Sequence, residues 1–276
     1  MSKPRIAASP GADAASEGAA KMTSIDHQNY ENAELVEDYV GTNKLEPAEV
    51  MIFMKYRDEI VGRRVMDIGC GAGRVTTYLS RWAGHTVGVD FSRIMIEHCR
   101  RALPGIEFVC CDVRDLRSYP PRSIDVAVFT FNGIDTLSHE DRLVSFAGLH
   151  EVLAENGLLI FSTHNRRYRL ARDRPRLRFS RNPFTLLSHG LRFLRETRNH
   201  RQRAPFERET DEYALINDIA HEYRMVHYYI DRETQRRQLA SVGFRLLEVY
   251  GEDGVVLEGD DDDSASGSLY FVARSV

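Results

Sequence analysis

A run of apolar residues that ends in three alternating glycines constrains this chain most. It reads Val65-Met66-Asp67-Ile68-Gly69-Cys70-Gly71-Ala72-Gly73-Arg74. An apolar run with this ending predicts a buried β-strand that passes through a tight turn into a helix. Glycine permits a positive φ, lacks the Cβ that would obstruct a ligand, and exposes N–H groups where a helix N-terminus favours negative charge. The segment therefore predicts a ligand-binding turn.

Short β-rich runs alternate with amphipathic runs after this point. The predicted strands are 64–68, 86–90, 106–111, 124–130 and 157–163, and the predicted helices between them are 73–83, 92–103 and 139–154. Ser92 and Ser138 fit helix N-caps, and Gly157 fits a helix stop. A last helix over 232–242 precedes strands 244–250 and 269–274. This alternation indicates parallel βαβ units and an α/β fold.

The composition indicates a folded chain without a membrane span. Of 276 residues, 42% are hydrophobic and 28% are charged. No apolar run reaches the roughly 20 residues that cross a bilayer, and the N-terminus lacks the apolar core of a signal peptide, so a cytoplasmic protein is expected. Residues 1–24 predict a disordered leader. The four cysteines lack zinc-ligand spacing, which predicts buried thiols and no metal site.

The spacing of the glycines separates two cofactor families. A dinucleotide-binding turn, G-x-G-x-x-G counted from Gly69, requires glycine at position 74, where this chain has Arg74. The segment instead resembles motif I of the class I S-adenosylmethionine-dependent methyltransferases, D-x-G-x-G-x-G, through Asp67, Gly69, Gly71 and Gly73. That resemblance covers about 30–165 and 231–274. It implies a Rossmann-like, seven-stranded, mostly parallel sheet with helices on both faces and an antiparallel last strand.

The resemblance also implies a set of contacts with S-adenosylmethionine. Asp90 at the end of the second strand would accept hydrogen bonds from both ribose hydroxyls, Phe91 would pack on the adenine, and Asp112 would bind its amino group. Taken singly, Asp90 also fits a turn residue and Phe91 a core residue. The full set of implied cofactor contacts is Asp67, Gly69, Cys70, Gly71, Gly73, Asp90, Phe91, Ser92, Met95, Asp112, Val113, Phe131 and Tyr39.

The methyl acceptor is expected beyond the carboxyl ends of the strands, where ligands bind to open parallel sheets. The predicted substrate-binding residues are Asn132, Asp135, His164, Asn165, His227 and Tyr228. If the acceptor is a hydroxyl, His164 at the end of the fifth strand is the candidate general base. His164 equally fits a capping or packing histidine, and His227-Tyr228-Tyr229 equally fits an ordinary strand.

Residues 166–230 interrupt the alternating pattern and predict a helical insertion, or lid, between a cofactor-binding core over 25–165 and a C-terminal completion of the sheet over 231–276. From Arg166 to Arg208 the chain has 14 arginines and three acidic residues. Interleaved leucines and phenylalanines predict an amphipathic helix. A phosphate backbone, an acidic small molecule, an anionic membrane surface and the acidic loop 260–263 are candidate partners. A solvated cover is the alternative.

Three functions are compatible with these features. The first is methylation of an oxygen or nitrogen of a small metabolite or natural product, with an anionic acceptor among the expectations. The second is an RNA or protein methyltransferase that uses the arginines. The third is a partner protein that binds the cofactor without catalysis. Strand four ends in Phe131-Asn132-Gly133 and lacks the Asn-Pro-Pro-aromatic turn seen in many base methyltransferases, which favours the first function.

Overall fold

The computed structural model describes residues 44–276; the predicted leader 1–24 and Tyr39 lie outside the described residues. Its helices are α1 (Pro47–Lys55), α2 (Arg57–Ile60), α3 (Thr76–Leu79), α4 (Arg93–Ala102), α5 (His139–Val152), α6 (Pro183–Arg203) and α7 (Arg232–Ser241). Its strands are β1 (Arg64–Ile68), β2 (His85–Asp90), β3 (Glu107–Cys110), β4 (Ile124–Phe129), β5 (Leu153–Asn165), β6 (Arg208–Glu209), β7 (Tyr213–Ile216), β8 (His227–Ile230), β9 (Phe244–Tyr250) and β10 (Ser268–Ser275).

Seven of these strands form the predicted sheet. Its order is β3-β2-β1-β4-β5-β10-β9, and the pairs from β3 to β5 are parallel. The last strand, β10, runs antiparallel between β5 and β9. The predicted Rossmann-like α/β fold is therefore confirmed, including the antiparallel last strand. The carboxyl ends of β1, β2, β4 and β5 lie at one edge, where ligands bind in such sheets.

Residues 166–230 add three strands as well as a helix. β8 continues the sheet beside the end of β5, where His164 pairs with Tyr229 and Asn165 with Ile230. β7 and β6 follow as antiparallel neighbours. The sequence predicts a helical insertion, and α6 is that helix. Residues 227–229 lie in β8, which agrees with the alternative interpretation of this segment as an ordinary strand. Through β8 the insertion is hydrogen-bonded to the end of β5, beside His164 and Asn165.

Two local predictions are wrong. The helix predicted over 73–83 is α-helical only in α3; Gly73 has positive φ, and residues 73–75 and 80–82 lie in turns on either side. Gly157 does not stop α5, which ends at Val152 and leads straight into the extended Leu153. The positive φ in that region belongs to Asn156, and Gly157 lies inside β5.

Apolar side chains cover both faces of the sheet. Met66, Phe129, Phe146 and Phe161 belong to one buried cluster. Ile52, Leu79 and Val128 belong to the cluster of the opposite face, with α1 and α3. Burial of each such side chain stabilises the fold by about 1.5–3 kcal/mol. None of the helices in residues 44–276 is both long and apolar enough to cross a membrane.

The sequence predicts four buried cysteines, and this prediction is wrong for two of them. Cys70 and Cys99 are buried, as predicted, but Cys110 is exposed and Cys111 is partly exposed. Cys110 is the last residue of β3 and Cys111 follows it. β3 is an edge strand of the sheet and has a neighbouring strand on one side only.

A buried ion pair attaches α1 to the glycine-rich turn. Arg74 donates to both carboxylate oxygens of Glu49, at 2.5 and 2.7 Å, and to the carbonyl oxygen of Lys44. The Glu49 side chain is fully buried, and the Arg74 guanidinium also stacks over the Phe131 ring at 4.9 Å. Arg74, which distinguishes this turn from a dinucleotide-binding turn, therefore fixes the turn to the N-terminal helix.

Glu49→Gln should lower the free energy of unfolding by roughly 3 kcal/mol, because it leaves a largely buried guanidinium without its counter-charge. Glu59→Gln is the matched control: its pair with Arg274 has a carboxylate that is 43% exposed, so its loss should cost less than about 1 kcal/mol. Urea unfolding of both variants measures the difference. Equal effects would contradict a special role for the Glu49–Arg74 pair.

Candidate active site

The glycine-rich turn follows β1 and opens onto the ligand-binding edge of the sheet. Gly69 and Gly71 have φ values of +59° and +52°, which side chains other than glycine rarely adopt. A Cβ on Gly71 would point into open space. Beneath the turn, the Thr76 hydroxyl donates to the buried Asp67 carboxylate at 2.5 Å. Burial raises the pKa of Asp67 to about 7, which the Thr76 hydrogen bond and the Arg74 charge partly offset.

Asp90 ends β2 beside this turn and is held by two backbone donors. The amide of Gly71 donates to Oδ2 at 2.9 Å, and the amide of Ser92 donates to Oδ1 at 2.8 Å. Burial raises the pKa of the Asp90 carboxyl, while these two hydrogen bonds favour its ionised form. Each oxygen retains acceptor capacity after one bond, so the carboxylate can accept from two neighbouring hydroxyls at once.

The turn and the ends of β2, β3 and β4 enclose one cleft, which we call the cofactor cleft. Its empty volume is about 830 Å³, counting the open mouth. It is lined by nine of the predicted cofactor contacts: Gly69, Gly71, Asp90, Phe91, Ser92, Met95, Asp112, Val113 and Phe131. Asp67 and Cys70 line an adjoining depression that shares Gly69, Gly71 and Phe131 with the cleft. The structure thus gathers residues from four strand ends.

Two predicted cofactor residues differ from a simple ligand contact. Gly73 lines neither cavity; a Cβ there would lie 2.8 Å from Leu103 and 3.3 Å from Cys99, so this glycine serves close packing against α4. The Asp112 carboxylate reaches the cofactor cleft but already accepts three hydrogen bonds from the Arg114 side chain. A ligand amino group at Asp112 would therefore share the carboxylate with Arg114.

A second, polar cavity adjoins the cofactor cleft, and we call it the acceptor cavity. Its empty volume is about 960 Å³. It is lined by Glu46, Phe131, Asn132, Thr136, His164, Ala220, His221, His227, Glu252, Ser268 and Tyr270. Phe131 and Thr136 line both cavities. Among the predicted substrate residues, Asn132, His164 and His227 therefore lie in the cavity wall.

Asn132 lines the acceptor cavity next to Phe131, which borders both cavities, and presents a buried oxygen. Phe131 and Asn132 are consecutive non-glycine residues with positive φ, 60° and 56°, a conformation that costs free energy and recurs at functional sites. The Asn132 amide N–H donates to Ser162, and Nδ2 donates to Ser268 at 2.8 Å. Within the described residues nothing donates to the buried Oδ1. An unsatisfied acceptor of this kind suits a ligand O–H or N–H.

Asp135 lies behind His164 and fixes its orientation. Its Oδ2 accepts from the backbone N–H of His164 at 2.7 Å and lies 2.6 Å from His164 Nδ1. With the proton on Nδ1 facing the carboxylate, Nε2 is the ring nitrogen available for proton transfer. The Asp135 side chain is fully buried, so it positions His164 and does not line the acceptor cavity.

Arg142 on α5 holds Asp135 in turn. Its guanidinium is fully buried and donates to Asp135 Oδ1 at 2.5 Å, to Thr163 at 3.0 Å and to Gln235 at 2.7 Å. It also stacks over the Tyr228 ring at 4.5 Å. The charge of Arg142, together with His164 and Thr163, lowers the pKa of Asp135 against the effect of burial. Asp135 is thereby kept ionised next to His164.

A second histidine–carboxylate pair faces the first. His227 Nδ1 lies 3.0 Å from Asp218 Oδ2, which also accepts from the Tyr229 hydroxyl at 2.6 Å. The His164 and His227 rings are 5.0 Å apart. One ligand-type atom from each of His164, His227 and Asp218 lies within 4.8 Å of the others, a spacing compatible with a metal ion. Because Asp218 already accepts from Ala220, His227 and Tyr229, we interpret it as a hydrogen-bonding carboxylate.

Besides Asp135, two further predicted substrate residues lie outside the acceptor cavity. Asn165 is buried and donates through Nδ2 to the carbonyl oxygens of Asp263 and Ser266, so it anchors the loop before β10. Tyr228 is buried on the other face of β8 between Arg142 and Tyr213, with its hydroxyl bonded to Gln238. Side chains alternate along a strand, so Tyr228 points away from the face of His227 and Tyr229.

Sequence reasoning missed several wall residues. Glu46, His221, Glu252, Ser268 and Tyr270 come from parts of the chain that no sequence spacing connects to β5. In the sequence, Arg142 cannot be distinguished from an ordinary charged residue on an amphipathic helix. No pattern around Arg142 or Asp218 indicates that either is buried.

Asp135→Asn should lower the free energy of unfolding by roughly 3–5 kcal/mol at pH 7, because Arg142 would remain buried without a counter-charge. A carboxyl with a lowered pKa stabilises the fold above its unfolded pKa of about 3.9, and that contribution is lost as pH falls through the folded value. The difference between wild type and variant should therefore shrink below about pH 4. Urea unfolding at several pH values measures it, with the exposed Asp115→Asn as control. A difference that stays constant down to pH 3 would contradict this account.

Comparison with known protein families bears on this geometry. Residues 65–157, which contain the glycine-rich turn and run from β1 into β5, match the family model of a methyltransferase domain. The malonyl-[acyl-carrier protein] O-methyltransferase of Bacillus cereus is 29% identical over 130 residues, which are 45% of this chain and 46% of that protein. The trans-aconitate 2-methyltransferase of Escherichia coli is 38% identical over 96 residues, 33% and 37% of the respective chains. The chain spans about half the length, or less, of such curated relatives.

Solved structures share the fold over most of the chain. An S-adenosylmethionine-dependent methyltransferase from Mesorhizobium loti aligns with a TM-score of 0.55 at 21% identity, over 82% of this chain and 97% of that one. The 1,6-didemethyltoxoflavin-N1-methyltransferase of Burkholderia thailandensis, solved with S-adenosylhomocysteine, has a TM-score of 0.55 at 13% identity, over 99% and 93%. These likenesses support the fold assigned above.

The family model, the relatives and the cofactor cleft agree with the resemblance drawn from Asp67, Gly69, Gly71 and Gly73, and the prediction made from those residues is confirmed. Residues 65–157 match a methyltransferase domain, and over this part of its length the chain is similar to S-adenosylmethionine-dependent methyltransferases.

Proposed function

We propose that this chain transfers a methyl group from S-adenosylmethionine to an oxygen or nitrogen of a small molecule bound in the acceptor cavity. The observation that carries the proposal is the junction of the two cavities. Phe131 and Thr136 line both the cofactor cleft and the acceptor cavity, so a group held in the cleft can reach one held beside His164.

The cofactor cleft supplies groups that suit the methyl donor. Gly69 and Gly71 allow close approach of the backbone, and the Asp90 carboxylate can accept from both ribose hydroxyls. Phe91, Met95 and Val113 provide an apolar wall for the adenine. When bound, S-adenosylmethionine supplies a sulfonium methyl group that an acceptor displaces in line. Holding the two partners in line can contribute about 7–11 kcal/mol to catalysis.

His164 is the proposed general base for a hydroxyl acceptor. As the new bond to the methyl carbon forms and the carbon–sulfur bond breaks, the hydroxyl proton passes to His164 Nε2. Asp135 keeps Nδ1–H in place and stabilises the imidazolium that results. Asn132 Oδ1 accepts a hydrogen bond from the acceptor and orients it. The curated relative from Bacillus cereus, named as an O-methyltransferase, is in keeping with an oxygen acceptor.

The acceptor we favour is neutral or cationic and not anionic. Glu46 and Glu252 lie in the wall of the acceptor cavity, and no arginine lines it among the described residues. Several arginines of the insertion pair instead with Glu207, Glu209 and Glu222. These internal pairs weaken the case for an RNA methyltransferase, because the paired guanidinium groups are partly neutralised before any phosphate approaches.

Asp90→Asn should weaken binding of S-adenosylhomocysteine at least tenfold, because charge-assisted hydrogen bonds to the ribose are replaced by weaker neutral ones. Calorimetric titration of the purified protein measures the dissociation constant. Asp115→Asn, on the exposed loop after β3, is the matched control and should leave binding unchanged. Equal affinities of wild type and Asp90→Asn would contradict the assignment of Asp90 to the ribose.

His164→Asn should lower the turnover of an oxygen acceptor by about 10²–10⁴-fold, because asparagine can keep the hydrogen bond to Asp135 but cannot take up the proton. Transfer of labelled methyl groups into a metabolite extract measures the activity, and titration with S-adenosylhomocysteine checks that cofactor binding is retained. His85→Asn, an exposed histidine on β2, is the control. Turnover equal to that of wild type would exclude His164 as the base.

A further inference from the structure

Helix α6 exposes a continuous apolar stripe, which we call the α6 stripe and which consists of Phe184, Leu187, Leu191 and Leu194. These side chains are 83%, 64%, 61% and 64% exposed. Their spacing of three and four residues puts them on one face of the helix. Phe179, just before the helix, is 86% exposed. Single exposed apolar residues are common on proteins, but a contiguous row of this kind marks an interaction surface.

The opposite face of α6 is fastened to the insertion. Asn199 donates to the carbonyl oxygen of Glu222 at 2.9 Å, and His200 Nδ1 lies 2.6 Å from Asn217 Oδ1. Glu196 is buried on this side and pairs with Arg192. The contacts of the inner face fix which side of the helix faces outward, so the α6 stripe is held on the outside.

Positive charge surrounds the stripe. Arg198 and Arg201 continue the exposed side toward the helix C-terminus, Arg178 and Arg181 precede it, and Arg195 beside the stripe pairs with Glu222. Within residues 44–276, no ion pair involves Arg181, Arg198 or Arg201. Among the described residues no ion pair joins these arginines to the acidic loop 260–263, whose Asp263 pairs with Arg167 and Arg232. The only acidic residue of α6 is the buried Glu196.

We propose that α6 docks, lying in the plane of the surface, on a lipid bilayer that contains anionic headgroups. A helix with phenylalanine and leucine on one side and arginines beside them fits that interface, where apolar side chains enter the acyl boundary and guanidinium groups contact phosphates. Charge complementarity selects an anionic bilayer over a neutral one. The α6 stripe selects a bilayer over a nucleic acid, because a phosphate backbone would leave the leucines in water.

The test is flotation of the full chain with lipid vesicles. Wild type should float with vesicles of phosphatidylcholine and phosphatidylglycerol and remain unbound with phosphatidylcholine alone. Leu187→Glu/Leu191→Glu should lower the partition coefficient at least tenfold. The matched control is Met51→Glu/Met54→Glu, which introduces the same charges at exposed methionines of α1 and should float like wild type. Arg198→Gln/Arg201→Gln should also reduce binding, and circular dichroism checks that every variant is folded.

Three outcomes would overturn the proposal: no flotation of wild type with the anionic vesicles, flotation equal with neutral vesicles, or full binding by Leu187→Glu/Leu191→Glu. The last result, combined with binding to heparin, would assign the arginines to a soluble polyanion instead. None of these outcomes touches the proposed methyl transfer, because the α6 stripe lies outside both cavities.

Discussion

The buried guanidinium of Arg142 is the interaction on which the acceptor side of this molecule depends. A charge removed from water must be matched by a counter-charge and hydrogen-bond acceptors, or the fold is strongly destabilised. Arg142 finds them in Asp135, Thr163 and Gln235, which lie after β4, in β5 and in α7. One side chain thus joins three parts of the chain. The same contacts fix Asp135 against His164, so stability and the proposed catalytic geometry have a common source.

The cofactor cleft and the acceptor cavity are built from different kinds of chain segments. The cofactor cleft consists of backbone turns and strand ends close to one another in sequence, from Ile68 to Leu137. The acceptor cavity draws on Glu46 before α1, the segment after β4, β5, the insertion, and β10 with the loop before it. The insertion is bonded to the end of β5 by β8, and its strained residues His221, Glu222 and Tyr223, all with positive φ, are held from α6 by Asn199 and Arg195. The insertion therefore forms one wall of the acceptor cavity, and its outer side carries the α6 stripe.

The residues of the cofactor cleft could largely be predicted from the sequence, whereas many residues around the acceptor cavity could not. Glycines with positive φ and acids at strand ends act through local backbone geometry, so the family resemblance could assign Asp67, Gly69, Gly71 and Asp90 to the turn and to the end of β2. The sheet followed from the alternation of strand and helix patterns. Arg142, Asp218 and Glu252 could not be found in this way, because their roles arise from long-range burial and pairing that leave no local pattern. Asn165 and Tyr228 are predicted as substrate residues, but side chains alternate along β5 and β8, and neither of these two lines the acceptor cavity.

The most direct test of the account is to ask which molecules receive the methyl group. Purified protein is incubated with labelled S-adenosylmethionine and an extract that has been separated into small molecules, RNA and protein. Label should enter the small-molecule fraction, in compounds that an anion exchanger does not retain, and His164→Asn should slow its transfer to an oxygen acceptor by about 10²–10⁴-fold. Label that enters only RNA or protein, or that is unaffected by the His164→Asn substitution, would contradict it.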